Sequence, residues 1–255
     1  MSSMLFVLRL SILLGWQDVK QAYRRSAIGP FWITGGMAVQ VATMSLVFGL
    51  IFKADLKHYL PFLAISIVLW GFISASLTDG SNSFINADQI IRQLPLSPFV
   101  HTLRAFWKSI FTLAHNAIIL PIVLVAVLQP IGLQTLLVIP GLILLALNLN
   151  WISMILAIAS VRFRDLPPIV TSILTIAFYV TPVMWYPELI GNNTVAHFLL
   201  GLNPLYHLIQ IVRLPLLNQM PTADNWYLSA LFACVGWLVA ILVVRRYQHK
   251  IAYWV

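Results

Sequence analysis

Apolar residues fall into six long blocks, at about residues 31–52, 59–81, 106–128, 134–160, 168–186 and 226–244, and polar residues gather between them. A helix that crosses the hydrocarbon core of a bilayer needs about 20 mostly apolar residues. Each block comes close to that length, so the pattern predicts six transmembrane helices. Before the first block, Leu5, Leu8, Ile12, Trp16, Val19 and Tyr23 recur at steps of three and four. That spacing lines them along one side of a helix, with Asp18, Gln21 and Arg25 on the other side. The stretch 4–25 is too interrupted to span and reads as an amphipathic helix lying in the membrane interface. Arg9 sits at the border of the stripe and would reach back to water. A helix that simply packs on the bundle is the competing reading.

Between the fifth and sixth blocks the pattern is irregular. Two short apolar pieces, near 195–202 and 205–217, are split by Asn203-Pro204. At 1.5 Å per residue neither covers a core of ~30 Å. Residues 187–225 are therefore expected to hold two short re-entrant or periplasmic helices that act as a gate, with a plain outer loop as the alternative. Such backbone is stable at membrane depth only where protein or water covers it. The expected architecture is one all-α, polytopic membrane domain over residues 1–255. It has the interface helix at 4–25, spans one to five within 31–186, and the sixth span at 226–244.

Composition agrees. The chain is 60% hydrophobic and 9% charged, against about 25% charged residues in ordinary soluble domains. The net charge of +8 is explained by where the cations lie rather than by nucleic acid. With the N-terminus in the cytoplasm, the cytoplasmic segments carry Arg9, Lys20, Arg24, Arg25, Arg92, Arg104, Lys108, Arg162, Arg164, Arg245, Arg246 and Lys250. The outer side carries only Lys53, Lys57 and Arg213. This asymmetry is the positive-inside pattern, and with an even number of spans it puts both termini in the cytoplasm. Contact with anionic lipids is its secondary consequence. No basic region precedes the first apolar residues and no small-residue cleavage site follows them. The N-terminal stretch is thus expected to remain in the mature chain. The single cysteine, Cys234, lies in an apolar run and is expected to be free and buried.

Little points to catalysis. The chain has no GxxxxGK[ST] loop for nucleotide phosphates, no HExxH and no Cys/His set with zinc spacing. No cofactor is expected. Asp55, Glu188 and Asp224, on outer connections, are the carboxylates that a membrane glycosyltransferase would use with a metal, but none has a second acid close in sequence. Asp165 is placed to cap the helix that follows it. His115, Asn116, Asn148 and Asn150 fall inside predicted spans, where polar groups bond between helices or line a path. The long connection 81–104 suggests a short helix through Ile90, Ile91 and Leu94, capped by Asn86 or Asp88 and ended by Pro95 and Pro98. A short amphipathic helix below the membrane suits docking into a groove on a soluble partner; a simple linker is the alternative. At 21–32, "QAYRRSAIGPFW" places Tyr23, Arg24 and Arg25 at headgroup level. Gly29 allows a sharp turn, Pro30 starts the next helix, and Phe31 and Trp32 anchor it at the interface. The aromatic supply is large, with 9 Trp, 8 Tyr and 14 Phe. Trp70, Tyr179, Trp185 and Tyr186 are candidates to line a translocation path, or else belong to the core and the interfacial belts.

These stretches resemble the membrane subunit of bacterial polysaccharide ABC exporters, the O-antigen and capsule class. "YRRSAIGPFW" is similar to that family's tyrosine-basic-serine, leucine-glycine-proline and tryptophan signature, with Ile28 where leucine is usual. "LPLSPFVHTLR" (94–104), "RFRDLPPIV" (162–170) and "NPLYHL" (203–208) resemble its cytoplasmic loop, its arginine-aspartate element and the turn between its outer helices. The resemblance implies a homodimer in the bacterial inner membrane that serves lipopolysaccharide biosynthesis. It also implies two copies of a separate ATPase subunit that binds ATP and Mg, and a polysaccharide cargo on undecaprenyl diphosphate or another lipid. On this reading Asp88, Gln89, Ile90, Arg92 and Gln93 couple to the ATPase. Tyr23, Arg24, Arg25, Arg162 and Arg164 meet the lipid diphosphate, and Ile28, Gly29 and Pro30 form a hinge before the first span. Teichoic-acid and small-molecule exporters share the same superfamily pattern.

Overall fold

The computed structural model describes residues 4–24, 29, 31–94, 96–130, 132–191 and 193–255. Among them it holds α-helices and short 3-10 turns and no strand. The helices are α1 (Met4–Tyr23), α2 (Phe31–Ile51), α3 (Leu56–Asn82), α4 (Asp88–Gln93), α5 (Pro98–Asn116), α6 (Ile119–Ala126), α7 (Val138–Arg162), α8 (Leu166–Val180), α9 (Thr194–Gly201), α10 (Pro204–Leu216) and α11 (Ala223–Trp254). Five stretches are long and apolar enough to cross a membrane: α2, α3, the α5–α6 pair, α7 with its leading 3-10 turn, and α11. The chain is an all-α, multi-pass membrane protein.

α3 is the central stave. Within its apolar window 78% of residues are buried inside the chain, against 17–39% for the other spans, whose outer faces are apolar and open. Lipid tails are as apolar as leucine, so helices associate in a bilayer through close packing and hydrogen bonds rather than through the hydrophobic effect. The α3–α7 contact follows that rule. Ser153 Oγ donates to Ser76 O at 3.1 Å, and a Cβ on Gly80 would lie 2.4 Å from Ser153 Oγ. Asn148 then ties α7 to α11: its amide donates to Leu144 O at 2.9 Å and to Ser229 O at 3.1 Å. This is the interhelical role expected of a polar residue in a span. Asn150 instead bonds back to Ala146 O of its own helix, as His115 does to Phe111 O. Asn116 is buried, with no partner for its Oδ1 among the described residues.

The fifth apolar block is shorter as a helix than as a sequence run. α8 has 15 residues, about 22 Å. Thr181 is extended (φ −85°, ψ 135°), as the residue before a proline prefers to be. The chain runs on as buried, non-helical backbone held by Tyr59, whose hydroxyl donates to Met184 O at 2.5 Å. α9 and α10 follow, bent by 82° at Leu202–Asn203. Asn203 caps α10 by accepting from Leu205 N at 3.0 Å, and its amide donates to Thr181 Oγ1 at 2.9 Å. The pair is entered beside the Tyr59 end of α3, where Tyr186 packs 5.7 Å from Tyr59. It leaves beside the α6–α7 connection: Gln129 Nε2 donates to Leu217 O at 3.1 Å and Thr135 Oγ1 to Pro215 O at 3.3 Å. Entry and exit thus lie at the same end of the bundle, away from α4, and the pair is re-entrant.

α10 lies close on α7 because Gly141 leaves room. A Cβ there would sit 2.5 Å from Ile211 O, and a backbone oxygen cannot swing aside. Gly141→Val is therefore expected to destabilise the bundle by about 1–3 kcal/mol, the usual cost of overpacking, read as a lower unfolding temperature in detergent. An unchanged temperature would show that α10 does not rest there.

α1 packs along α5 through Ser11, Gly15 and Val19, all buried. A Cβ on Gly15 would meet Arg104 O and Trp107 Cβ at 2.9 Å. Leu5, Ile12 and Trp16 of the apolar stripe are exposed on the outside, where an interface helix meets lipid. Asp18 does not face water: Arg104 Nε and Nη2 donate to its two carboxylate oxygens at 2.6 and 2.5 Å. Cys234 corrects an expectation, being exposed on α11 rather than buried.

Candidate functional site: the α4 end of the bundle

α4 stands between α3 and α5 as a single exposed turn and a half. Its N-cap residue is Ala87, with no side-chain cap bond. Neither Asn86 nor Asp88 caps it. Asp88 instead accepts from Arg92 Nε at 2.5 Å. That pair is exposed and stabilises little by itself; its effect is to orient the guanidinium, whose Nη2 donates to the backbone oxygen of Val255. Ile91 packs inward against a second, smaller core built from Phe84, Met154, Ile158, Val161, Val244, Ile251 and Val255. Gln89, Arg92 and Gln93 are exposed and Ile90 is half-buried. α4 is thus a polar, accessible helix fixed to the ends of α7 and α11.

The last turn of α11 is gripped from a second side. Arg162 lies 5.7 Å from the Trp254 ring and 6.0 Å from that of Phe163. Arg164 Nη2 donates to Trp254 O at 3.5 Å. Sequence reasoning missed this role of Trp254 and Val255, since nothing local marks a residue that meets position 92 across the fold. Asp165 takes the N-cap position of α8 without a side-chain cap bond.

Of the five residues expected to meet a lipid diphosphate, the four that are described do not form one group within the chain. Arg162 and Arg164 flank α11, whereas Tyr23 lines a crevice with Val19, Ile33, Phe111 and His115. No contact joins the two sets among the described residues. Arg24 is exposed. Arg25, Ile28 and Pro30 lie outside the described residues. Gly29 has φ +61°, a left-handed conformation that glycine adopts without strain.

At the other end the four aromatics expected to line a path gather around α3 and α8. Trp70 is 8% exposed and belongs to the main core, edge-on to Phe178 at 5.6 Å. Tyr179 is 62% exposed, and Trp185 Nε1 donates to its backbone oxygen at 3.1 Å. Tyr186 rests on Phe62, with ring centres 4.4 Å apart.

The burial of Arg213 was not foreseen. Counted among the outer-side cations, it is 1% exposed. Its Nη1 donates to Ser66 Oγ at 2.9 Å and Pro182 O at 2.6 Å. Nε and Nη2 donate to Gln210 Oε1 at 3.3 and 3.0 Å, and the guanidinium lies 4.2 Å from the Phe62 ring. Among the described residues it has no carboxylate partner. One side chain therefore joins α10, α3 and the segment after α8. The signal was present: His207, Gln210 and Arg213 share one face of an otherwise apolar helix.

Asp55, Glu188 and Asp224 stand apart in roles. Asp55 caps α3, and the Lys57 amide, then the His58 ring at 2.9 Å, hold its carboxyl below the ordinary carboxylate range. Asp224 lies in the first turn of α11 and Glu188 in a 3-10 turn. Among the described residues no three His, Cys, Asp or Glu side chains stand together as a metal site would require.

A bundle of spans with a short exposed helix at one end and a re-entrant pair at the other is the architecture of a polytopic membrane protein, and the family match gives its class. The chain belongs to the ABC-2 type transporter family, which it matches over residues 9–217. It is 25% identical over 210 residues to the O-antigen export system permease protein RfbA of Myxococcus xanthus, covering 78% of this chain and 77% of that one. Two Klebsiella pneumoniae proteins of the same name are 22% and 23% identical over 253 and 251 residues, each covering 97% of this chain and 95% of the relative.

Proposed function

We propose that this chain is the membrane subunit of an ATP-driven exporter that carries a lipid-linked, O-antigen-like polysaccharide outward across the bacterial inner membrane. It acts as a homodimer with two copies of a separate ATPase subunit, with both termini in the cytoplasm. The observation that carries the reading is α4: an exposed polar helix clamped to α7 and α11, beyond the ends of the spans, in a chain with no nucleotide loop of its own. Force applied to α4 reaches α11 through Arg92 and the smaller core. The names of the relatives support the cargo class. Tyr23, Arg24, Arg25, Arg162 and Arg164 supply cations and a hydroxyl for a diphosphate through charge-assisted hydrogen bonds. Since one chain divides them between two flanks, a dimer would bring the two sets to a shared seam. Tyr179, Trp185 and Tyr186 offer flat faces for sugar rings, whereas Trp70 is packed in the core.

Deleting the chain in its host is expected to leave lipid-linked glycan on the cytoplasmic leaflet, readable by lipid extraction and surface glycan staining. Arg24→Glu with Arg25→Glu is expected to reproduce that accumulation at normal protein level. If the double variant exports normally, diphosphate capture at this turn is wrong. If deletion leaves surface glycan unchanged, the cargo class is wrong.

A further inference from the structure

A polar cleft of about 350 Å³ lies at the α4 end, between α1, the end of α3, the turn before α4, and α5. Its floor is α5, which presents His101, Arg104 and Lys108 on one face. Opposite stand Asp18 of α1, paired with Arg104 at 2.5 Å, and Asp79 of α3, paired with Lys108 Nζ at 3.0 Å. Two features show that these ion pairs leave the cleft unfinished. His101 is 3% exposed and Ser83 6% exposed, yet among the described residues His101 Nδ1 and Ser83 Oγ have no hydrogen-bond partner. A buried polar atom left unpaired costs about 1–3 kcal/mol, and since both residues line the cleft a change of rotamer would turn either atom toward a ligand there. Arg104 also spends only Nε and Nη2 on Asp18, so Nη1 has no partner among the described residues.

The charge pattern selects the ligand. Two carboxylates face two cations, so the cleft is close to neutral and draws neither a bare anion nor a bare cation. It offers donors at Arg104 Nη1, Lys108 and Ser83, and an open carboxylate oxygen at Asp79 Oδ1. A group that carries a phosphate and an ammonium a few bonds apart matches both halves. Position selects its source. Asp79 marks where the apolar run of α3 gives way to polar residues, and α1 beside the cleft turns Leu5, Ile12, Leu13 and Trp16 outward. That boundary is where lipid headgroups lie.

We propose that this cleft binds a zwitterionic phosphoamine, in the form of the headgroup of a phosphatidylethanolamine-type lipid of the inner leaflet. The lipid fastens α1, α3 and α5 together where α4 emerges.

The test uses the full-length chain in nanodiscs of mixed phosphatidylethanolamine and phosphatidylglycerol, then measures by mass spectrometry the lipid that survives detergent washing. The ratio of phosphatidylethanolamine to phosphatidylglycerol among the retained lipid should exceed that of the bilayer about tenfold, the scale of one charge-assisted hydrogen bond. Ser83→Leu, which fills the cleft without touching either ion pair, should return retention to the bulk ratio. Asn86→Leu, at an exposed position on the rim, should do the same without risk to folding. Soluble glycerophosphoethanolamine separates the sources: displacement supports headgroup chemistry that a free phosphoamine also satisfies, and no displacement supports the acyl-anchored lipid. Equal retention of the two lipids, retention of neither (a cleft filled by water), or unchanged enrichment in both variants would overturn the proposal. Because the readout is bound lipid, failure of the export reading leaves it standing.

Discussion

Arg213→Ala is expected to abolish export and to lower the stability of the bundle by about 3 kcal/mol, the sum of a few orphaned buried acceptors. The substitution leaves Gln210 Oε1, Ser66 Oγ and Pro182 O without their donor and empties the space over Phe62. One term opposes this: burying an unpaired guanidinium is itself costly, and alanine removes it. Hydrogen bonding outweighs that relief because the guanidinium is shared among four contacts on three segments, which no other side chain here replaces. Arg213→Lys keeps the charge but loses the planar fork, so it should restore only part of the stability. Ser66→Ala, which deletes a single partner, should cost about 1 kcal/mol. Unfolding in detergent and surface glycan read the two effects. If Arg213→Ala exports normally and melts at the parental temperature, the re-entrant pair is not held by this residue.

The second large effect is expected at α4. Arg92→Glu with Gln89→Ala reverses one charge and removes one amide on the exposed face, and it breaks the bond from Arg92 to Val255 O. Both residues are exposed, so folding should change little. Capture of the ATPase subunit by the tagged chain should fall to background, and surface glycan should disappear with it. Leaving Arg92 in place and changing only Gln89 tests docking with the α11 clasp intact. Undiminished capture with the double variant would count against α4 as the coupling helix.

The membrane bundle was legible because bilayer thickness imposes a length on apolar runs that sequence displays directly. The re-entrant pair was legible from Asn203-Pro204 and two pieces too short to cross. Less legible were features set by residues far apart. Arg104 meets Asp18 across 86 positions and Arg92 meets Val255 across 163, and no local spacing encodes either. Hydropathy missed the burial of Arg213, since it counts a cation as polar whether or not buried acceptors surround it. α8 stops at Val180 because Pro182 forces Thr181 out of the helix, although the apolar run continues. The packing side of α1 was hidden for a similar reason. Large residues drew attention to the stripe, of which Val19 is buried on α5 and Trp16 packs on Phe111, while Ser11 and Gly15, outside the stripe, are small enough for the two helices to approach closely.

Transport in a sealed membrane tests the division of labour most directly. Proteoliposomes would carry a lipid-linked glycan in one leaflet and either the purified chain alone or the chain with its ATPase subunit and ATP. The account predicts accumulation of glycan on the far side only in the second case. Movement against the gradient by the chain alone, with no nucleotide-hydrolysing subunit present, would contradict it.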